Sequence, residues 1–359
     1  MKAETAQGER IVVAMSGGVD SSLAAALLQD AGADVVGVFL HVWDYSRSDL
    51  SGRGSCCAAE DAYDARRVAD KLGIPFYSLD VRGAFRQQVI DPFIADYEAG
   101  RTPNPCAQCN RFIKFGVLLD AAEKLQARYV ATGHYVRRHD NNSGVRLFRG
   151  ADHSKDQTYF LATTLRSQAS RILFPVGHLS KSETRDLASQ FNLPTAAKSE
   201  SQDICFVPTG DRIGFLHEQG STAGFISGDI VDRSGHRLGR HAGIAHFTMG
   251  QRRGLGLSDG PWIVVGIEGS RVMVDRPSSA LIQGVRIGEL SWIRRPEGED
   301  DLTIKVRYRA PSASCVLTME ATTAEARFDV PQPPTAPGQV AAIYTGEELL
   351  GGGIIKGLL

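Results

Sequence analysis

Two groups of residues in this chain have the types and spacing to do chemistry. The first is Ala14-Met15-Ser16-Gly17-Gly18-Val19-Asp20-Ser21-Ser22. Neither glycine carries a Cβ, so the backbone can turn tightly and come close to a phosphate. The loop follows a strand-like run and opens a helical one, and the free N–H groups and dipole of a helix start favour an anion. Ser16, Ser21 and Ser22 offer hydroxyl donors, and Asp20 can orient the loop or help hold Mg²⁺. No Gly-Lys-Ser/Thr follows, so the P-loop cradle is absent, and Gly254-Leu-Gly256 lacks the third glycine of a dinucleotide fingerprint.

The second group is thiols. Cys106 and Cys109 form a C-x-x-C pair, and Cys205 follows Ser201-Gln-Asp-Ile204. One C-x-x-C leaves a zinc half-site, a redox pair and an iron–sulfur site open. Pro103 and Pro105 forbid helix before Cys106, which places it on a loop entering a helix over Arg111–Gln126. A helix start beside Arg111 and Lys114 should favour thiolate. Cys315, in a strand-like run, reads as a core residue. Cys56-Cys57 follows a Gly-Ser-rich loop and reads as incidental or as an aid to sulfur delivery.

The elements that must position these groups show in the pattern of apolar residues. Ile11–Met15, Val35–Leu40, Phe76–Leu79 and Tyr129–Thr132 read as short buried strands. Ser21–Ala31, Ala59–Leu72 and Arg111–Gln126 carry helical spacing between them, and Ser180 with Glu183 caps a further helix at 180–191. Such alternation predicts a doubly wound parallel sheet. Beyond about residue 220, strand-like runs at Phe225–Val231, Trp262–Ile267, Arg271–Val274, Leu302–Tyr308, Cys315–Met319 and Gln339–Tyr344 predict small antiparallel sheets or a barrel. The expected units are 1–210, 211–280 and 281–359. The 359 residues carry 40 Lys+Arg against 41 Asp+Glu, a net charge of −1, with 42% hydrophobic and 23% charged residues. That balance excludes disordered and fibrous classes and a whole-surface polyanion binder, leaving local basic patches open. No apolar run is long enough to cross a membrane. The polar Met1–Arg10 lacks the apolar core of a secretory signal, and six cysteines in the chain are too few for a disulfide scaffold. A cytoplasmic protein is expected.

The Ser-Gly-Gly-Val-Asp-Ser-Ser loop resembles that of the PP-loop ATP pyrophosphatases. Further words follow it in order: Gly100-Arg-Thr-Pro-Asn-Pro-Cys106, Ala131-Thr-Gly-His-Tyr135, Ser154-Lys-Asp-Gln-Thr-Tyr-Phe-Leu161, Ser201-Gln-Asp-Ile-Cys-Phe206 and Phe247-Thr-Met-Gly-Gln-Arg-Arg-Gly-Leu-Gly256. Together they resemble the tRNA-specific 2-thiouridylases over nearly the whole chain. The resemblance implies a Rossmann-like PP-loop domain, a small central domain and a C-terminal antiparallel β-barrel. It implies ATP, with Mg²⁺, on Ala14, Met15, Ser16, Gly17, Gly18, Val19, Asp20 and Ser21, and adenine near Leu40 and Gly133. The 2-oxygen of a wobble uridine would be adenylated and then replaced by sulfur. Cys205 is similar to the family's persulfide cysteine and Cys109 to its second catalytic cysteine. Asn104, Pro105, Cys106, Lys155, Asp156, Gln157, Arg307 and Tyr308 are implied at the tRNA. His134 reads equally as a nucleotide or base contact and as a packing residue. Implied partners are tRNAs of the Lys, Glu and Gln type and a cysteine desulfurase or sulfur-relay carrier; no membrane is expected.

Many family members carry Asp where this chain has Cys106. Three thiols could hold a [4Fe-4S] cluster with one iron open, so a persulfide route and a cluster route both stand, with a structural zinc as the plainer use. Lys305, Arg307 and Arg309 alternate along an expected strand and should share one face that meets phosphates. Other PP-loop thiolases or ligases, and a zinc-bearing RNA-binding protein, are the competing functions.

Overall fold

The structure, a computed structural model, describes residues 7–43, 57–199, 204–207, 210–298 and 300–359. Cys56 and the side chain of Cys57 lie outside the described residues, as do Ser201, Gln202 and Asp203.

The N-terminal sheet is built from β1 (Arg10–Ala14), β2 (Asp34–His41), β3 (Phe76–Asp80), β4 (Tyr129–Ala131) and the two-residue Ile172–Leu173 strand. Its order is β3-β2-β1-β4 and then Ile172–Leu173, with every pair parallel. Alternation along β1 explains why both faces are covered. Val12 packs into a core shared with Leu118, Leu119 and Ala122, while Ile11 and Val13 pack under α1 (Val19–Asp30) and α2 (Cys57–Leu72). The order reverses at β1, where open sheets place ligands above the strands' carboxyl ends.

The expected helix at 111–126 is longer and less regular. It starts at Pro105, where Asn104 Oδ1 accepts from Ala107 N–H at 3.1 Å, and Pro105 occupies the first turn. Proline is well placed there because its missing N–H would have no partner in the helix. Cys106 therefore lies in the first turn rather than on the preceding loop. The chain is π-helical over Cys109–Val117 and α-helical over Leu118–Lys124. Ser180 and Glu183 form the expected capping box on the Lys181–Gln190 helix.

Downstream, strands Ile263–Glu268, Arg271–Asp275, Gly228–Val231 and Arg237–His241 form a four-stranded central sheet in that order. Six antiparallel strands follow, from Ile282–Trp292 to Glu348–Leu358, and these two pair to close a barrel. The hairpin Val136–Asn141/Gly144–Arg149 extends the same sheet, pairing Leu147 and Phe148 with Leu349 and Glu348. One core cluster runs from Val12 through Leu147 and Tyr159 to the barrel's Ala342, Tyr344 and Ile354. The barrel is therefore packed onto the first domain. No helix among the described residues is long and apolar enough to cross a membrane.

Candidate active site

A cavity of about 390 Å³ lies over the carboxyl ends of β1, β2 and β4. It is lined by Ala14, Met15, Ser16, Asp20 and Ser21, by Leu40 and Gly133, and by Cys106, Cys109 and Cys205. Pro105, Gln157 and His134 also reach it. The phosphate-type loop and all three thiols thus share one space.

The loop is shaped from within. Gly17 has φ +76°, and a Cβ there would come within 2.3 Å of the Asp61 carbonyl oxygen. A Cβ on Gly133 would lie 2.6 Å from Ser21 N, so this glycine lets the loop after β4 close onto the start of α1. Ser21 Oγ accepts from Ser16 N–H at 3.1 Å, and Ser22 Oγ donates to Gly18 O at 2.8 Å. Ser22 is fully buried, so its expected use as a phosphate donor is corrected: the hydroxyl is taken by the loop itself. Val19 is likewise turned into the core under α1. Asp20 accepts from Lys181 Nζ at 2.7 and 2.9 Å and from the Tyr135 hydroxyl at 2.8 Å, so both its oxygens are oriented. Lys181 was not legible as a site residue. The capping box located its helix start without showing what that start faces.

Cys205 is fixed by its neighbour. Phe206 stacks edge-on to Phe85 and Phe93, with ring centroids at 5.6 and 5.2 Å, and meets Phe215 at 5.3 Å. Cys106 and Cys205 are open to solvent through the cavity, and Cys109 is half-buried. Protein crowds all three sulfurs, and this desolvation raises the Cys106 thiol, takes Cys109 to about 11 and takes Cys205 to about 12. Lys114 opposes the shift in each case but does not cancel it. Desolvation thus opposes the thiolate that the helix start and Lys114 were expected to favour. Burial also holds His134 well below its ordinary value, with Lys114 adding to the effect. Its Nδ1 lies 2.8 Å from Thr132 Oγ1, so a neutral imidazole is fixed in the cavity wall.

Three thiols are suitable iron–sulfur donors in kind. Among the described residues, however, no three Cys, His, Asp or Glu side chains are grouped to hold a metal ion.

Of the other expected residues, Asn104, Lys155, Asp156, Arg307 and Tyr308 do not line the cavity, whereas Gln157 does. Asn104 is the helix cap described above. Asp156 is 4% exposed and accepts from Thr158 Oγ1 at 2.8 and 2.9 Å and from Gly150 N–H at 3.2 Å. It braces the Lys155–Gln157 turn from within. Gln157 Oε1 accepts from Tyr135 N–H at 2.9 Å. The strand expected over Leu302–Tyr308 stops at Lys305, so Lys305, Arg307 and Arg309 do not share a strand face. Arg307 turns inward and donates to Met249 O at 2.9 Å and to Pro334 O. Tyr308 packs on Phe160 with centroids 4.5 Å apart, and the Lys305 ammonium lies 5.5 Å from the Tyr308 ring.

Fold and site define a HUP-domain protein with cysteines in the same cavity as its anion loop. The family model described as the tRNA methyl transferase HUP domain matches residues 9–209. The associated PRC-barrel and aminomethyltransferase β-barrel domain models match 214–274 and 282–355. A relative named tRNA-specific 2-thiouridylase MnmA from Acidithiobacillus ferrooxidans is 45% identical over 97% of this chain and 99% of its own length. One of the same name from Geobacter metallireducens is 45% identical over 97% and 96%. The chain belongs to the tRNA-specific 2-thiouridylase family. A looser likeness, TM-score 0.36 at 15% identity, covers 59% of this chain and 64% of the U34-tRNA thiolase NcsA from Methanococcus maripaludis with its [4Fe-4S] cluster; it carries no argument.

Proposed function

We infer that this chain is an ATP-dependent tRNA-uridine 2-sulfurtransferase acting on a wobble uridine. The observation that carries this is the shared cavity: an anion loop and three sulfur nucleophiles open on the same space. A carbonyl oxygen is a poor leaving group, and both chemistries are needed to replace it. ATP with Mg²⁺ lies on the loop from Ala14 to Ser21, its adenine near Leu40 and Gly133. The uridine O2 attacks the α-phosphorus, pyrophosphate leaves, and the C2–O bond becomes an ester of AMP. The terminal sulfur of a Cys205 persulfide attacks C2 and AMP departs. Cys109 then attacks the Cys205 sulfur, leaving sulfur on the base and a Cys109–Cys205 disulfide that an external dithiol must reduce. The domain descriptions name a methyl transferase, but the near-full-length relatives and the cysteines support sulfur chemistry.

Units 1–210, 211–280 and 281–359 carry the nucleotide site, the connector and the barrel in this reading. A wobble base lies in a single-stranded loop and can be splayed into the cavity. Pro105, Cys106 and Gln157 line the cavity, and Lys155 and Tyr308 meet the tRNA beside it in this reading. The substrates are tRNAs of the Lys, Glu and Gln type, the sulfur comes from a cysteine desulfurase or relay carrier, and the reaction belongs in the cytoplasm. The test is tRNA-dependent pyrophosphate release accompanied by 2-thiouridine in the digested tRNA. Pyrophosphate release without tRNA, or with no thiouridine, contradicts the reading.

A second sulfur route rests on the donor type of the third thiol in the cavity, and it requires the three cysteines to draw together. Cys106, Cys109 and Cys205 would hold a [4Fe-4S] cluster, which supplies an open iron for hydrosulfide. Cys106→Asp in iron-free protein given a persulfide donor separates the two. Full thiolation there, with wild-type protein equally active without iron, selects the persulfide route. Activity that returns only with iron and sulfide selects the cluster.

A further inference from the structure

Few charges line the cavity, and its carboxylates are already paired. Asp20 is held by Lys181 as described, and Asp61 by Lys198 Nζ at 2.7 Å. Lys114 is the one lysine or arginine on the wall among the described residues, and among them it has no carboxylate partner. The helix geometry aims it. In an α-helix, residues five apart lie about 140° apart around the axis. Cys109 and Lys114 instead span one i to i+5 step of the π-helical stretch Cys109–Val117, which brings the lysine round to the cysteine's side of the helix. The three thiols and His134 all feel its charge.

We propose that Lys114 is a catalytic residue of the sulfur-transfer step, where its ammonium neutralises both the attacking sulfur anion and the phosphate of the departing AMP. The proposal rests on the 2-sulfurtransferase reading. In that step the C–S bond forms at C2 and the C2–O bond to AMP breaks, while Lys114 keeps its proton throughout. A preorganised charge in a recessed site acts without reorganising as the reaction proceeds. Adenylation occurs at the loop, where the start of α1 and the Mg²⁺ of the nucleotide meet the charge of pyrophosphate. Lys114 should therefore separate the two half-reactions.

The experiment is a single-turnover reaction of full-length protein with ATP, tRNA and a persulfide donor, reading pyrophosphate, adenylated tRNA and 2-thiouridine together. Lys114→Met should keep pyrophosphate release within about threefold of wild type and lower thiouridine formation by about a hundredfold, so that adenylated tRNA accumulates. Lys114→Arg, which keeps the charge, should recover much of the loss. Thiouridine formation near wild type in Lys114→Met overturns the proposal, as does a parallel fall of both products in both variants. If Lys114→Met loses its cooperative melt, Lys114→Gln carries the same comparison. Wild-type protein that releases no pyrophosphate with tRNA would sink the sulfurtransferase reading instead, a distinct failure.

Discussion

At the residue scale, the chemistry of the thiols is set by what surrounds them. Cys109 and Cys205, at about 11 and 12, are protonated near neutrality despite Lys114. The thiolate is the reacting form, so alkylation of either by iodoacetamide should rise about tenfold per pH unit from pH 7 to pH 10. Mass spectrometry of trapped peptides reads this, and a plateau by pH 8 would contradict it. The spacing of Cys106 and Cys109 beside Lys114 was legible in the sequence. The desolvation was not, because Phe85 and Phe93, on which Phe206 packs, lie far from Cys205 in the chain. Asp156 shows the same limit: Lys-Asp-Gln reads as a polar surface word, but Thr158 and Gly150 draw the carboxylate inward.

At the scale of elements, a strand ending three residues early changes what a basic stripe does. Because the strand stops at Lys305, Arg307 turns to clamp the carbonyls of Met249 and Pro334, joining the central unit to the barrel. Arg307→Ala should cost about 1.5–3 kcal/mol in a denaturant melt, the range for hydrogen bonds from a charged donor. Lys305→Ala and Arg309→Ala should leave stability unchanged, and each should reduce the salt slope of tRNA binding by about one. An Arg307→Ala variant as stable as wild type, with only its salt slope lowered, would restore the phosphate-binding stripe. The β1–α1 unit and the Ser180 cap were legible because their signals are local. The Glu348–Leu358 strand was not among those expected, since Gly351-Gly352-Gly353 interrupts its apolar pattern. In the barrel those glycines are needed for close approach: a Cβ on Gly352 would lie 2.0 Å from Ala341 O, and one on Gly353 2.4 Å from Gly288 O. That requirement comes from neighbouring strands and leaves no local pattern.

At the scale of the whole molecule, the barrel and the nucleotide domain meet through a charged knot as well as a shared core. Glu348 is 3% exposed and bonds to Arg294 at 3.1 Å and to Arg146 on the N-terminal hairpin, while Arg294 also holds Asp300 at 3.0 Å. Burial alone would raise the Glu348 carboxyl, but the bonds from Arg146 and Arg294 outweigh it and leave it below its usual value. The stability it contributes is therefore full above the ordinary carboxylate range and is lost as pH falls through the lowered folded value. Glu348→Gln should destabilise the protein by about 3 kcal/mol near neutrality and flatten the acid limb of its stability curve. An unchanged acid limb would show that the knot contributes nothing. The central claim is that one cavity performs adenylation and sulfur transfer with separate residues. It is tested most directly by a single-turnover assay reading pyrophosphate and 2-thiouridine in Asp20→Ala and Cys205→Ser. Asp20→Ala should lose both products, by about a hundredfold, because the loop carboxylate fixed by Lys181 and Tyr135 is gone. Cys205→Ser should still release pyrophosphate with tRNA and form no thiouridine; thiouridine from Cys205→Ser, or wild-type pyrophosphate release from Asp20→Ala, would contradict the account.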